Sequence, residues 1–166
     1  MEQAFVKLQI AQGDSARGLP LPSYSTEGSA GLDITAALPE GVPVTLLPGE
    51  RQLIPTGLKL AIPVGYEGQI RARSGLALKY GIGLINAPGT IDADYRGELQ
   101  VLLVNWGHEP VTFSRGERIA QLVIAPVAHV SVVLCVEDEL EPTLRGESGF
   151  GSTGIGSSVK VAPGNT

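Results

Sequence analysis

Between residues 42 and 65 the chain cannot run far in one direction. Three short segments, 42–47, 51–55 and 58–62, are cut apart by Pro48-Gly49 and Thr56-Gly57 and closed by Pro63-Val64-Gly65. Proline fixes φ and donates no backbone hydrogen bond, while glycine opens turn conformations that other residues avoid, so no helix of ordinary length survives this punctuation. What remains is strand followed by tight turn. The same rhythm extends along the chain, where 22 glycines and 12 prolines accompany only 17% charged residues. It predicts an all-β sandwich, jelly roll or related closed fold. A length of 166 residues suffices for one domain with a real core and leaves little for a second.

Charge and cysteine usage narrow the function classes. The net charge is −5 and no cluster of lysine or arginine exists, so a long nucleic-acid backbone is not an expected partner. The single cysteine, Cys135, sits in the apolar run 130–136 and reads as a small buried hydrophobe; no intrachain disulfide can form, which fits a reducing compartment. Residues 1–12 lack a basic stretch followed by an apolar one, and nothing approaches about eighteen consecutive apolar residues. A cytoplasmic location without a membrane partner is expected.

Further strands are expected at 5–10, 69–73, 99–105, 111–113 and 118–124, with one short helix over 74–81 that starts on an N-cap residue and stops at Gly81. At its head stands Arg73-Ser74-Gly75. Backbone N–H groups at a helix start favour anions, glycine lets an anion come close, and arginine offers a fork for phosphate oxygens. An ordinary capped helix beside a surface arginine accounts for the tripeptide equally well. Residues 87–98 read as a β-hairpin in which Asp92 and Asp94 share one face and Ile91 and Ala93 the other; an acidic, solvated turn is the competing account. Asp33 lies between apolar Leu32 and Ile34, and Gln121 between apolar neighbours in its strand; both must find polar partners, structural or ligand. His108 in a turn and His129 in an apolar strand stand near no serine–carboxylate or metal-ligand pattern. From Glu137 the chain turns acidic and irregular and ends in a glycine-rich stretch. That stretch is either a disordered terminus or a phosphate-wrapping flap, with Phe150 stacking on a base and Arg145, Ser152 and Thr153 holding phosphates.

Five separated motifs stand in one order: Ala30-Gly31-Leu32-Asp33-Ile34-Thr35-Ala36-Ala37, Arg73-Ser74-Gly75-Leu76-Ala77, Gly89-Thr90-Ile91-Asp92-Ala93-Asp94-Tyr95-Arg96-Gly97, Gly116-Glu117-Arg118-Ile119-Ala120-Gln121-Leu122, and Arg145-Gly146-Glu147-Ser148-Gly149-Phe150-Gly151-Ser152-Thr153-Gly154. Together, over residues 20–154, they resemble the trimeric dUTPase family. The resemblance implies a single-domain, jelly-roll-like (β-clip) fold with a core over 1–141, a flexible arm over 142–156 closing on an active site, and a disordered tail over 157–166. It implies hydrolysis of dUTP to dUMP and pyrophosphate with Mg²⁺, in a homotrimer whose sites are shared between subunits. On that reading Asp92 activates water and touches the sugar 3′-hydroxyl, and Tyr95 packs under the deoxyribose. Arg73, Ser74 and Gly75 hold phosphates, Gln121 reaches the phosphate region of a neighbouring site, and Asp33 helps position the metal through water. Asn86, Thr90, Ile91 and Gln100 line the nucleoside site, while Arg145, Gly149, Phe150, Gly151, Ser152 and Thr153 belong to the arm. One departure is Ser148, where the family usually has glycine.

Physical chemistry agrees with this assignment. Uracil presents acceptor, donor, acceptor, which a hairpin opened near Asn86 and Gln100 can match with backbone amides and a carbonyl. A carboxylate is a weak base at neutral pH, so most of the acceleration must come from neutralising the triphosphate and aligning the water. Mg²⁺ takes oxygen ligands, mainly phosphates and waters, and no His/Cys cluster for zinc is present. Two rivals remain: a dCTP deaminase or bifunctional deaminase–diphosphatase of the same fold, and a non-catalytic nucleotide-binding module.

Overall fold

The computed structural model describes residues 5–149, in two compact units divided between His129 and Val130. Among the described residues the first unit carries ten strands and one α-helix: β1 (Gln9–Gln12), β2 (Leu32–Thr35), β3 (Val44–Leu46), β4 (Arg51–Ala61), β5 (Tyr66–Arg71), α1 (Ser74–Tyr80), β6 (Ile82–Leu84), β7 (Gly89–Ile91), β8 (Glu98–Asn105), β9 (Val111–Phe113) and β10 (Arg118–Pro126). They form two four-stranded antiparallel sheets, β1-β4-β8-β6 and β2-β10-β5-β7, and a ribbon of β3 with β9. The all-β expectation is borne out.

Alternation explains why these segments are strands. On β8, Leu99, Val101 and Leu103 are buried while Gln100 stays exposed; on β5, Gly68 and Ile70 point inward and Arg71 outward. The two sheets and the ribbon pool these side chains in one core that contains Ile34, Leu46, Ile54, Ile70, Leu103, Phe113 and Leu122. Each large aliphatic buried in this way contributes about 1.5–3 kcal/mol. Among the described residues two polar side chains are buried as well, and both are satisfied. Thr56 Oγ1–H donates to the Leu99 carbonyl (2.5 Å). Asn105 donates to the carbonyls of Leu46 (3.0 Å) and Glu109 (2.8 Å) and accepts from Gly107 N–H (2.8 Å).

Several expectations need correction. Residues 51–55 and 58–62 are one strand, β4, because Thr56-Gly57 forms a bulge in the pairing with β8 rather than a turn, with Gly57 at φ 65°. The first strand starts later than expected and runs through Gln12, whose partner on β4 is Leu58. The helix starts on Arg73 as its N-cap, so Ser74 is the first helical residue; Gly81 at φ 69° ends it as expected. Residues 87–98 are not a hairpin, since β7 pairs with β5 in one sheet and β8 with β4 and β6 in the other. β6 pairs antiparallel with β8 across the stretch that contains β7, and β6, whose three residues are all buried, was not among the expected strands. His129 is exposed beyond the end of β10 rather than inside a strand. In the second unit, Cys135 is exposed and residues 130–136 form no strand, so it is not a buried hydrophobe within its own chain.

Candidate active site

The sheet β2-β10-β5-β7 frames the site. Gln121 on β10 lies opposite Asp33 on β2 and Arg71 on β5. Because Ile34, Ile70 and Leu122 fill the core, the alternate residues Asp33 and Gln121 face outward. The Gln121 side-chain amide donates to the Ala72 carbonyl (2.9 Å), which fixes its reach beside the end of β5. Gly31 makes room for it: a Cβ there would run into the Gln121 side chain.

Asp33 ties three elements together. Arg73 Nε–H donates to its Oδ1 (3.1 Å), Arg118 Nη1–H to its Oδ2 (3.0 Å), and Ser25 Oγ–H to the same Oδ2 (3.1 Å). One carboxylate between two guanidiniums leaves the cleft positive. Asp33, Arg73, Ser74, Gly75, Lys79 and Gln121 line a cavity of about 370 Å³. Two cations, two amide or hydroxyl side chains and a glycine backbone suit a phosphate chain.

Asp92 follows β7 and lies elsewhere. It is exposed, its carbonyl accepts from Tyr95 N–H (3.1 Å) to close a turn, and it lines a separate cavity of about 520 Å³ with Tyr66, Glu67, Asp94, Arg96 and His129. Asp92 and Asp94 are exposed while Ile91 and Ala93 pack toward the core, as the alternation predicts. Tyr95 Oη–H donates to the Glu98 carbonyl (3.0 Å), and its ring lies where a Cβ on residue 97 would sit, so a side chain there would displace the ring. Asn86 and Gln100 stand where β6 and β8 part: the ladder ends at Leu84 and Leu103, with one more bond from Ile85 N–H to the Leu102 carbonyl (3.4 Å). Beyond it the two strands no longer pair with each other. Thr90 is exposed on the edge strand β7.

No group of three His, Cys, Asp or Glu side chains able to hold a metal is found among the described residues. Asp33 has about four lone-pair directions and uses three on its partners, which leaves room for a water but not for a direct cage. This donor set fits a metal carried mainly by phosphate oxygens and water.

A family model described as dUTPase matches residues 17–154, which include each residue placed above. The chain belongs to the dUTPase family. It is 62% identical over 136 residues to a deoxyuridine 5′-triphosphate nucleotidohydrolase of Methylocella silvestris, covering 82% of this chain and 84% of that one. It is 61% identical over 142 residues to one from an Anaeromyxobacter species, covering 86% and 92%. Among solved structures it resembles a variant of the Staphylococcus bacteriophage 80alpha dUTPase with dUpNHpp (TM-score 0.78, 29% identity, 90% of this chain and 99% of that one). It also resembles a variant dUTPase from phage phi11 of S. aureus described with a structural Mg(II) ion (TM-score 0.69, 25% identity, 81% and 99%).

Within this dUTPase-family chain, the fold gathers Asp33, Arg73, Ser74, Gly75 and Gln121, and sets Asp92 apart from them. Arg145 and Gly149 lie in the second unit, where Arg145 Nε–H donates to the Ser148 carbonyl (2.9 Å). Phe150, Gly151, Ser152 and Thr153 lie outside the described residues. Arg118 and Ser25, the other partners of Asp33, were not singled out from sequence, although Arg118 stands within the fourth motif.

Proposed function

We propose that this protein hydrolyses dUTP to dUMP and pyrophosphate in the cytoplasm, as a homotrimer whose active sites are shared between subunits, with Mg²⁺ on the triphosphate. Relatives at 62% and 61% identity carry the name deoxyuridine 5′-triphosphate nucleotidohydrolase, and the phage 80alpha enzyme is seen with a dUTP analogue. The observation that carries the shared site is a strand register. Gly89 pairs with Ile70 and Ile91 with Gly68, so Asp92 continues opposite Glu67, six residues along the chain from Arg73. At about 3.3 Å per residue that is on the order of 20 Å. A base must come within hydrogen-bond reach of the water it activates. This separation supports a reading in which Asp92 and the Arg73 cleft of one chain serve different sites, each completed by a second copy.

In such a site Asp92 accepts the proton of the attacking water and orients it toward the α-phosphorus. Tyr95, held by Glu98, underlies the deoxyribose and leaves no space for a ribose 2′-hydroxyl. Amides and carbonyls freed where β6 and β8 separate, near Asn86 and Gln100, read uracil, with Thr90 and Ile91 beside them. Arg73, Ser74, Gly75 and Gln121 hold the phosphate chain. Mg²⁺, bound through phosphate oxygens and waters with Asp33 as an outer partner, would neutralise the triphosphate. The arm over residues 142–156, with Arg145, Gly149, Phe150, Gly151, Ser152 and Thr153, closes over a neighbouring site and excludes water.

The test is incubation with Mg²⁺ and, separately, dUTP, dCTP, dTTP and UTP, following pyrophosphate and base identity. Pyrophosphate and dUMP from dUTP alone, abolished by EDTA, are expected. Asp92→Asn is expected to retain dUTP binding and lower kcat by at least about a thousandfold, in the range seen when a base and its water alignment are lost together. Deamination of dCTP would move the assignment to the sister reaction, and silence with all four nucleotides to a binding module.

A further inference from the structure

The cleft around Arg73 holds one cation that the family motifs leave without a role. Lys79 lines the same cavity as Arg73, Ser74, Gly75 and Gln121. It stands four residues after Gly75 on α1, so both occupy one helix face, with about 5–6 Å between side-chain origins. Its ammonium forms no ion pair among the described residues. Arg73 and Arg118, by contrast, are both drawn onto Asp33. Among the described residues the cleft contains no free base: its one carboxylate is already shared by two guanidiniums, and Asp92 of the same chain lines another cavity. This half of the site is built for the phosphate chain and its departure, not for water activation.

We infer that Lys79 is a further contact to the leaving pyrophosphate of dUTP that speeds its departure, an inference that rests on the hydrolytic reading above. When water attacks the α-phosphorus, the bond to the α,β-bridging oxygen breaks and its electron pair stays with pyrophosphate, where negative charge grows. Arg73 is fixed by its bond to Asp33 and suits a phosphate that stays in place. Lys79 is exposed, on a four-carbon stem, and presents a point charge that can follow a group as it moves away. Its contribution falls on the pyrophosphate half alone.

The test separates the two halves of the nucleotide. Full-length wild type, Lys79→Gln and Lys79→Arg are compared by calorimetry with pyrophosphate and Mg²⁺, by dUMP product inhibition, and by steady-state hydrolysis of dUTP. For Lys79→Gln, pyrophosphate affinity and kcat/KM are both expected to fall about five- to tenfold, as for loss of one exposed charge-assisted contact, with the deficit shrinking as salt rises. The dUMP inhibition constant is expected to stay within twofold, and Lys79→Arg to recover most of the loss. Equal pyrophosphate affinity in wild type and Lys79→Gln would overturn the inference, as would equal losses for dUMP and pyrophosphate, which mark a distorted helix instead. If wild type leaves dUTP intact, the hydrolytic reading fails separately, and the pyrophosphate comparison still decides whether Lys79 holds that anion.

Discussion

Asp33 shows what a residue's sequence neighbours withhold. Between Leu32 and Ile34 it is visibly a lone outward carboxylate, but its partners Arg73 and Arg118 lie 40 and 85 residues away. Period-two alternation gives the face and says nothing of what another strand brings there. Hence the side chain read as a water-mediated metal partner is first of all the clamp of two guanidiniums. Gln121 is a similar case, since the need for a partner was legible and its identity, the Ala72 carbonyl, was not. Its position depends on Gly31, where a Cβ would collide with its carboxamide and approach its Cβ to 3.1 Å. Gly31→Ala is expected to push Gln121 off Ala72 and lower kcat/KM for dUTP about tenfold, with a small change in Tm. Because the damage runs through one side chain, Gly31→Ala, Gln121→Ala and the double variant are expected to lose nearly the same amount. Additive losses in that cycle would place the defect elsewhere.

At the scale of elements, the errors share a cause. Thr56-Gly57 and Pro88-Gly89 both carry turn chemistry, and turn chemistry does not say whether the chain reverses, bulges or changes sheet. At Thr56-Gly57 the strand continues, because Thr56 Oγ1 binds the Leu99 carbonyl and Gly57 N–H donates to Glu98 Oε1 (2.8 Å), so the extra residue is absorbed without an orphaned group. At Gly89 the chain leaves β6 for the opposite sheet, which no local pattern announces. Elements with local signals were legible: α1 with its terminal glycine, β9 at its full extent, and the alternating β8. The bulge offers a sharp stability test. Gly57 combines φ 65° with backbone and side-chain atoms of Ser15 and Ala16 closer than 3 Å to a built Cβ. Gly57→Ala is expected to cost about 2–4 kcal/mol, about 1–2 from the left-handed conformation and the rest from the clash, measured as a lower denaturant midpoint at unchanged m. A loss below 1 kcal/mol would show that β4 can slide its register.

The whole molecule poses a question that a single chain cannot answer for itself. The Arg73 cleft stands at one end of β5 and the turn that carries Asp92 at the other. Motif order along the sequence revealed the set of residues, while only the register of β7 on β5 separates the set in space. If each site draws Arg73 from one copy and Asp92 from another, two inactive variants must rescue each other. Arg73→Ala lacks the phosphate hold but keeps its base; Asp92→Asn lacks the base but keeps its phosphate hold. Unfolded together in equal amounts and refolded, they are expected to assemble at random. A given site then takes both intact residues in about a quarter of cases, half the chance for each donor, and about a quarter of wild-type dUTP hydrolysis returns in a closed ring. The recovered activity should rise and fall with the product of the two subunit fractions and peak at equal amounts. Mixing without refolding gives none if the assembly does not exchange. Activity that stays at the sum of the two parents after refolding would mean that Arg73 and Asp92 meet within one chain, which the β5 register opposes by roughly six residues of extended strand.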